Sequence, residues 1–99
     1  MQIDILTKNI ELDEPLRVFV NEKIGGLEKY LKDIGDVSAR VEIGKSTQHH
    51  NKGPFFYAET NLNISGHMIR SEKSHEDLRA AIVDVKEQLK VQISKFKDK

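Results

Sequence analysis

The side chains best suited to chemistry in this 99-residue sequence are cationic, and four of them share one line. At about 100° per residue, Arg79, Lys86, Lys90 and Lys97 fall within about 20° of a common direction on a helix. That line lies about 100° from the centre of an apolar stripe formed by Leu78, Ala81, Ile82, Val85, Leu89, Ile93 and Phe96. A helix that buries the stripe therefore carries the four cations as a ridge along its flank, with Glu76, Asp84 and Glu87 on the other flank. Ammonium and guanidinium groups in a row are material for phosphate contact without base readout. A solvated face that happens to sort this way is the alternative.

Other cations can join the ridge. Lys23 falls at the edge of the buried stripe of an earlier helix. There it either runs its stem along apolar surface to water or presents its ammonium beside the last helix. Lys45 and Lys52 frame a polar loop. Arg70 and Lys73 lie on the strand that leads into the last helix, and Lys95 lies near that helix's end. Phe55 and Tyr57 offer rings for base stacking, although strand packing is the commoner use.

Material for catalysis is poor. His49 and His50 are adjacent, so in an extended segment they point apart, which is weak metal-ligand spacing. His67 and His75 have no partner at a characteristic spacing. Neither a G-x-S-x-G elbow nor a G-x-G-x-x-G or G-x-x-x-x-G-K-[ST] phosphate loop occurs. The sequence has no Cys, hence no thiolate nucleophile, thiolate metal site or disulfide framework. These residues describe a binding protein rather than an enzyme, with no cofactor and no metal.

The elements that position the cations follow from periodicity. Gln2–Thr7 alternates as a short strand, although Leu6 breaks the pattern. Asp13 caps a helix with Glu14 and Pro15 in its first turn, and Leu16, Phe19, Val20, Ile24, Leu27, Tyr30 and Leu31 form its stripe. Gly25-Gly26 sits inside this helix, where close packing against a sheet is the favoured explanation. Val37–Lys45 and Phe55–Ile64 alternate as strands with a loop, Ser46–Pro54, between them. Ser65-Gly66 is a tight hairpin turn, and His67–Lys73 returns as a strand. Ser74 with Asp77 fits a capping box, so the last helix is expected to open at Ser74. The order β-α-β-β-β-α predicts an α+β two-layer sandwich: a four-stranded sheet with both helices on one face and the other face polar and open.

Residues 1–99 fit one small domain that folds without metal or disulfide. Met1 leads straight into Gln2-Ile3-Asp4-Ile5, with no basic n-region or apolar run, so no secretory leader and no membrane partner are expected, and the location is read as cytoplasmic. The 16 Lys and Arg balance the 16 Asp and Glu. Residues 1–36 carry 5 basic and 8 acidic side chains, and residues 37–74 carry 5 and 3. A neutral molecule of this kind can still present one basic surface. The acidic opening Ser74-His75-Glu76-Asp77 argues against duplex RNA held at the N-terminus of the last helix.

Several segments together resemble the ribosome hibernation-promoting factors, also called the ribosome-associated inhibitor A or sigma-54 modulation family. They are Met1-Gln2-Ile3-Asp4-Ile5, Leu16-Arg17-x-Phe19-Val20 and Lys23-Ile24-x-x-Leu27-Glu28-Lys29-Tyr30. In the second half they are Gly66-x-x-Ile69-Arg70-Ser71, then Asp77-Leu78 with Ala80-Ala81-Ile82 and Asp84, and Leu89-Lys90-x-Gln92-Ile93-x-Lys95-x-Lys97. The resemblance implies a short-form translation inhibitor, monomeric when free. It would bind small-subunit ribosomal RNA in the tRNA and mRNA channel and promote hibernation in stationary phase or stress. A ribosome-dimerising protein would be a further partner. The RNA-binding residues expected are Lys23, Lys45, Arg70, Lys73, Arg79, Lys86, Lys90, Lys95 and Lys97. Two departures are Leu78, where many members have Tyr, and Val91, where an Arg beside the Gln is frequent. The neutral charge leaves a second reading open: a protein-interaction module that modulates a transcription factor through the open sheet face or edge.

Overall fold

The computed structural model describes residues 1–46 and 55–98. Its elements are β1 (Gln2–Lys8), α1 (Glu14–Gly25), a 3-10 helix (Gly26–Tyr30), β2 (Val37–Lys45), β3 (Phe56–Ile64), β4 (His67–His75) and α2 (Leu78–Lys97). The strands form one sheet in the order β1-β2-β3-β4. β1 runs parallel to β2, and the other two pairings are antiparallel.

Alternation decides which face each strand buries. Ala39, Val41, Ile43, Ala58, Leu62, Ile64 and Ile69 point toward the helices and are buried. Leu16, Val20, Ile24, Leu27, Ala81, Ile82, Val85, Leu89 and Ile93 close the core from the helix side. The opposite face carries cross-strand rows set by the register, among them Asp4, Arg40, Asn61 and Arg70, and next to it Leu6, Glu42, Glu59 and Glu72. Leu6, which breaks the alternation of β1, is half exposed on this open face. The expected two-layer α+β sandwich is the observed architecture.

Three local readings change. Helix α2 opens at Leu78, not at Ser74. β4 keeps its ladder through Ser74 and His75, which lie opposite Tyr57 and Phe56. Asp77 is then the N-cap, accepting from the Arg79 amide at 3.0 Å, while its own amide donates to His75 Nδ1 at 2.9 Å. The first helix is not one α-helix. It tightens to 3-10 geometry at Gly25-Gly26, where helix propensity is lowest. Close packing does not explain this pair, because a Cβ on Gly25 meets only Ile3 Cδ1 at 3.6 Å and one on Gly26 meets nothing within 4 Å. The tight approach is at Gly44 instead, where a Cβ would lie 2.5 Å from the Lys8 carbonyl oxygen.

Ser65 (φ 49°) and Gly66 (φ 92°) form the hairpin turn, both in the left-handed region that a two-residue connection requires. The chain then runs up β4 and returns along it as α2, so that Phe96 stacks on His67 at 4.7 Å. α1 returns along β1 in the same sense. The two helices therefore lie side by side with their N-termini at the same end of the sheet.

Candidate nucleic-acid interface

The groove between the two helices collects cations around two aromatic rings. Phe19 of α1 has the Lys23 ammonium 5.5 Å and the Arg79 guanidinium 5.4 Å from its ring centre. Tyr30, at the end of the 3-10 helix, has the ammonium groups of Lys29 and Lys90 at 5.3 and 5.5 Å. Lys97 donates to the Tyr30 carbonyl at 2.9 Å. Lys86 lies between the two groups, about a quarter exposed, with its ammonium 3.3 Å from Glu87. Arg79, Lys86, Lys90 and Lys97 thus border one inter-helix seam, and Lys23 reaches it from α1.

The seam follows from helix phase. Val20 and Ile24 are fully buried in the core, and one position before each, Phe19 and Lys23 emerge half-buried on the side facing α2. A ring in that position shields the stems of neighbouring cations while their heads stay in water. The charges act back on the ring: burial raises the Tyr30 hydroxyl, but Lys90 and Lys29 outweigh it and hold the group below the usual tyrosine range. Beside Tyr30 a shallow cleft of about 280 Å³ is lined by Lys90, Ile93, Ser94, Lys97 and Asp98.

The structure does not bring the other expected cations to this seam. Arg70 and Lys73 are three residues apart on β4 and so point to opposite faces. Arg70 is on the open face, ion-paired with Glu59 and 3.9 Å from Glu72, and these carboxylates hold its guanidinium above its ordinary pKa. Lys73, opposite Ala58, and Lys45, opposite Phe56, are exposed on the helix side near the end of the sheet where both helices begin. Lys95 is on the far flank of α2, beside a small depression it shares with His67, Ile69, Gln92 and Phe96. Lys52, His49 and His50 lie outside the described residues. Tyr57 donates to Glu42 at 2.7 Å on the open face, and Phe55 is half exposed.

Lys29 is the residue that sequence reasoning missed. It is in the acidic first third and off the apolar stripe, and its one signal was its place in Glu28-Lys29-Tyr30. Among the described residues no group of three or more His, Asp or Glu is placed to hold a metal ion. Among the described residues no helix is long and apolar enough to cross a membrane.

Residues 3–99 match the family described as sigma 54 modulation protein / S30EA ribosomal protein. The ribosome hibernation promotion factor of Deinococcus radiodurans is 36% identical over 98% of this chain, and this chain spans half of that relative's length. The ribosome hibernation promoting factor of Escherichia coli is 31% identical over the whole chain, which covers 96% of it. The crystal structure of the Thermus thermophilus Protein Y N-terminal domain superposes with a TM-score of 0.82 at 26% identity. It covers 97% of this chain and 99% of the solved one.

Proposed function

The chain belongs to the sigma 54 modulation protein / S30EA ribosomal protein family, and from that premise we propose that it is a ribosome hibernation factor. In this reading it is a non-enzymatic protein that binds the small subunit through ribosomal RNA, occupies the path of tRNA and mRNA, and holds ribosomes idle in resting or stressed cells. The names of its relatives support the ribosomal setting. The observation that carries the mode of binding is the inter-helix seam, where Arg79, Lys90 and Lys97 share two aromatic supports with Lys23 and Lys29.

A strip of cations along the helix layer suits the phosphate backbone of folded RNA, which is read by shape and charge. The open sheet face has the wrong balance for it, because Glu42, Glu59 and Glu72 stand side by side and Arg70 is already engaged. Inhibition then needs no chemistry: a bound body in the channel excludes the substrates of translation.

Co-sedimentation with purified small subunits across a salt series tests this. Neutralising four phosphates gives a log–log slope of about −3 to −4. Lys86→Glu with Lys90→Glu is expected to lower affinity at least about tenfold, whereas Lys95→Glu, a single reversal on the far flank, costs much less than either of the two alone. Binding that ignores salt, or that tolerates reversal at Lys86 and Lys90, would sink the proposal.

A further inference from the structure

All four cation–π contacts among the described residues centre on two rings, Phe19 and Tyr30. Neither ring contributes charge, and both are half-buried against the core. We propose that Phe19 and Tyr30 are positioning residues that order the cations into two separate phosphate grips, one of Lys23 with Arg79 and one of Lys29, Lys90 and Lys97. This rests on the RNA-binding reading above and deepens it, because it assigns the arrangement of charge to residues that carry none.

The physical need is entropic. Lysine and arginine have long, freely rotating stems, and holding such a side chain at a phosphate loses rotamer freedom on binding. A ring about 5 Å away attracts the cation through its quadrupole and narrows its range before RNA arrives. The attraction is weak enough that the N–H groups facing water remain free to take a phosphate oxygen. Each ring serves cations from two parts of the fold: Phe19 joins one from α1 and one from α2, and Tyr30 joins one from the 3-10 helix and one from α2. The second grip is tied further by Lys97, which donates to the Tyr30 carbonyl.

The two grips are independent in space. Arg79 and Lys90 are eleven residues apart on α2, about 16 Å at 1.5 Å per residue. A single RNA strand or two neighbouring strands can therefore be held at two points, with Lys86 between them. That distance exceeds the range over which side-chain substitutions ordinarily couple.

The test is a set of double-mutant cycles on small-subunit affinity with the whole chain. Phe19→Leu and Tyr30→Leu keep apolar bulk but remove the ring face, and each is expected to weaken binding about fivefold. Tyr30→Phe restores affinity, because the quadrupole remains. Tyr30→Leu adds less than its full effect to Lys90→Gln, since the two share one grip and only the ordering of Lys29 is left to lose, but adds fully to Arg79→Gln. Phe19→Leu shows the mirror pattern. In the free protein, nuclear magnetic resonance is expected to show the side-chain CH2 protons beside the Lys90 and Lys29 ammonium groups shifted upfield by the Tyr30 ring, and Tyr30→Leu to abolish the shift. Urea midpoints of the variants separate these effects from loss of fold.

Wild-type affinity in Tyr30→Leu, or equal additivity with Lys90→Gln and Arg79→Gln, overturns the inference while the binding reading survives. Wild-type protein that fails to bind small subunits removes both.

Discussion

The Lys97 ammonium donates to the backbone carbonyl of Tyr30 at 2.9 Å, joining the last turn of α2 to a residue 67 positions earlier. Lys97, an exposed cation of the seam, is therefore also a clip between α2 and the 3-10 helix. Lys97→Met keeps the stem and removes the donor, and is expected to lower stability by about 1 kcal/mol. For a domain of this size that is a Tm lower by about 4–8 °C. Lys90→Met, which loses the contact of the ammonium with the Tyr30 side chain, is expected to cost about half as much. Equal shifts in a thermal melt contradict the distinction.

At Gly44 the backbone of β1 crowds the space that a side chain on β2 would need. A Cβ there would lie 2.5 Å from the Lys8 carbonyl oxygen and 3.1 Å from Tyr57 Cε1. Backbone atoms cannot swing aside, so Gly44→Ala must push β1 from the sheet. The expected cost is about 2 kcal/mol or more, read as a lower urea midpoint at unchanged slope. Gly26→Ala, where space is open and the backbone is right-handed helical, is expected to be neutral or mildly stabilising, by up to about 1 kcal/mol.

Thr60 and Ser71 face each other across β3 and β4 under α2, and both hydroxyls are buried without a hydrogen-bond partner. A buried unpaired hydroxyl costs free energy that an apolar group of like shape does not. Thr60→Val is thus expected to raise stability, by about 1 kcal/mol. A clear loss in chemical denaturation shows instead that the hydroxyl is satisfied in solution.

The two tyrosines are pushed in opposite directions. Burial, then the hydrogen bond to Glu42 and its charge, with Glu59 and Glu72 beyond, push the Tyr57 hydroxyl from 10.0 up to about 12. Tyr30 is held below its ordinary value because Lys90 and Lys29 outweigh burial. Phenolate absorbance is expected to rise in two steps, Tyr30 first. A raised folded pKa gives stability that is complete below about 10, the unfolded value, and lost as pH climbs through about 12. Tyr57→Phe removes the second step and flattens that fall. Glu42→Gln lowers the step only part of the way, because burial persists. One merged transition near the ordinary value contradicts this.

How much was legible follows from the range of the forces. Hydrophobic period is a property of neighbouring residues, so the strands, the helices, their buried faces and the ridge Arg79, Lys86, Lys90 and Lys97 could be read directly. The hairpin at Ser65-Gly66 was legible for the same reason. The start of α2 was not, because Ser74 carries a local capping signal that loses to the ladder with Tyr57, and that ladder depends on a strand 17 residues away in the register.

The site divides in the same way. By itself the sequence determined that cations line one flank of the last helix, since a helix fixes the angle between its own residues. Only the tertiary structure decided which other cations share that flank. Lys23 and Lys29 meet Phe19 and Tyr30 within their own helical segments, and packing those segments beside α2 brings Arg79 and Lys90 to the same rings. The alternation of β4 sends Arg70 to the carboxylates of the open face. Charge acts through space, and distances between residues far apart in the chain exist only once the two layers have packed.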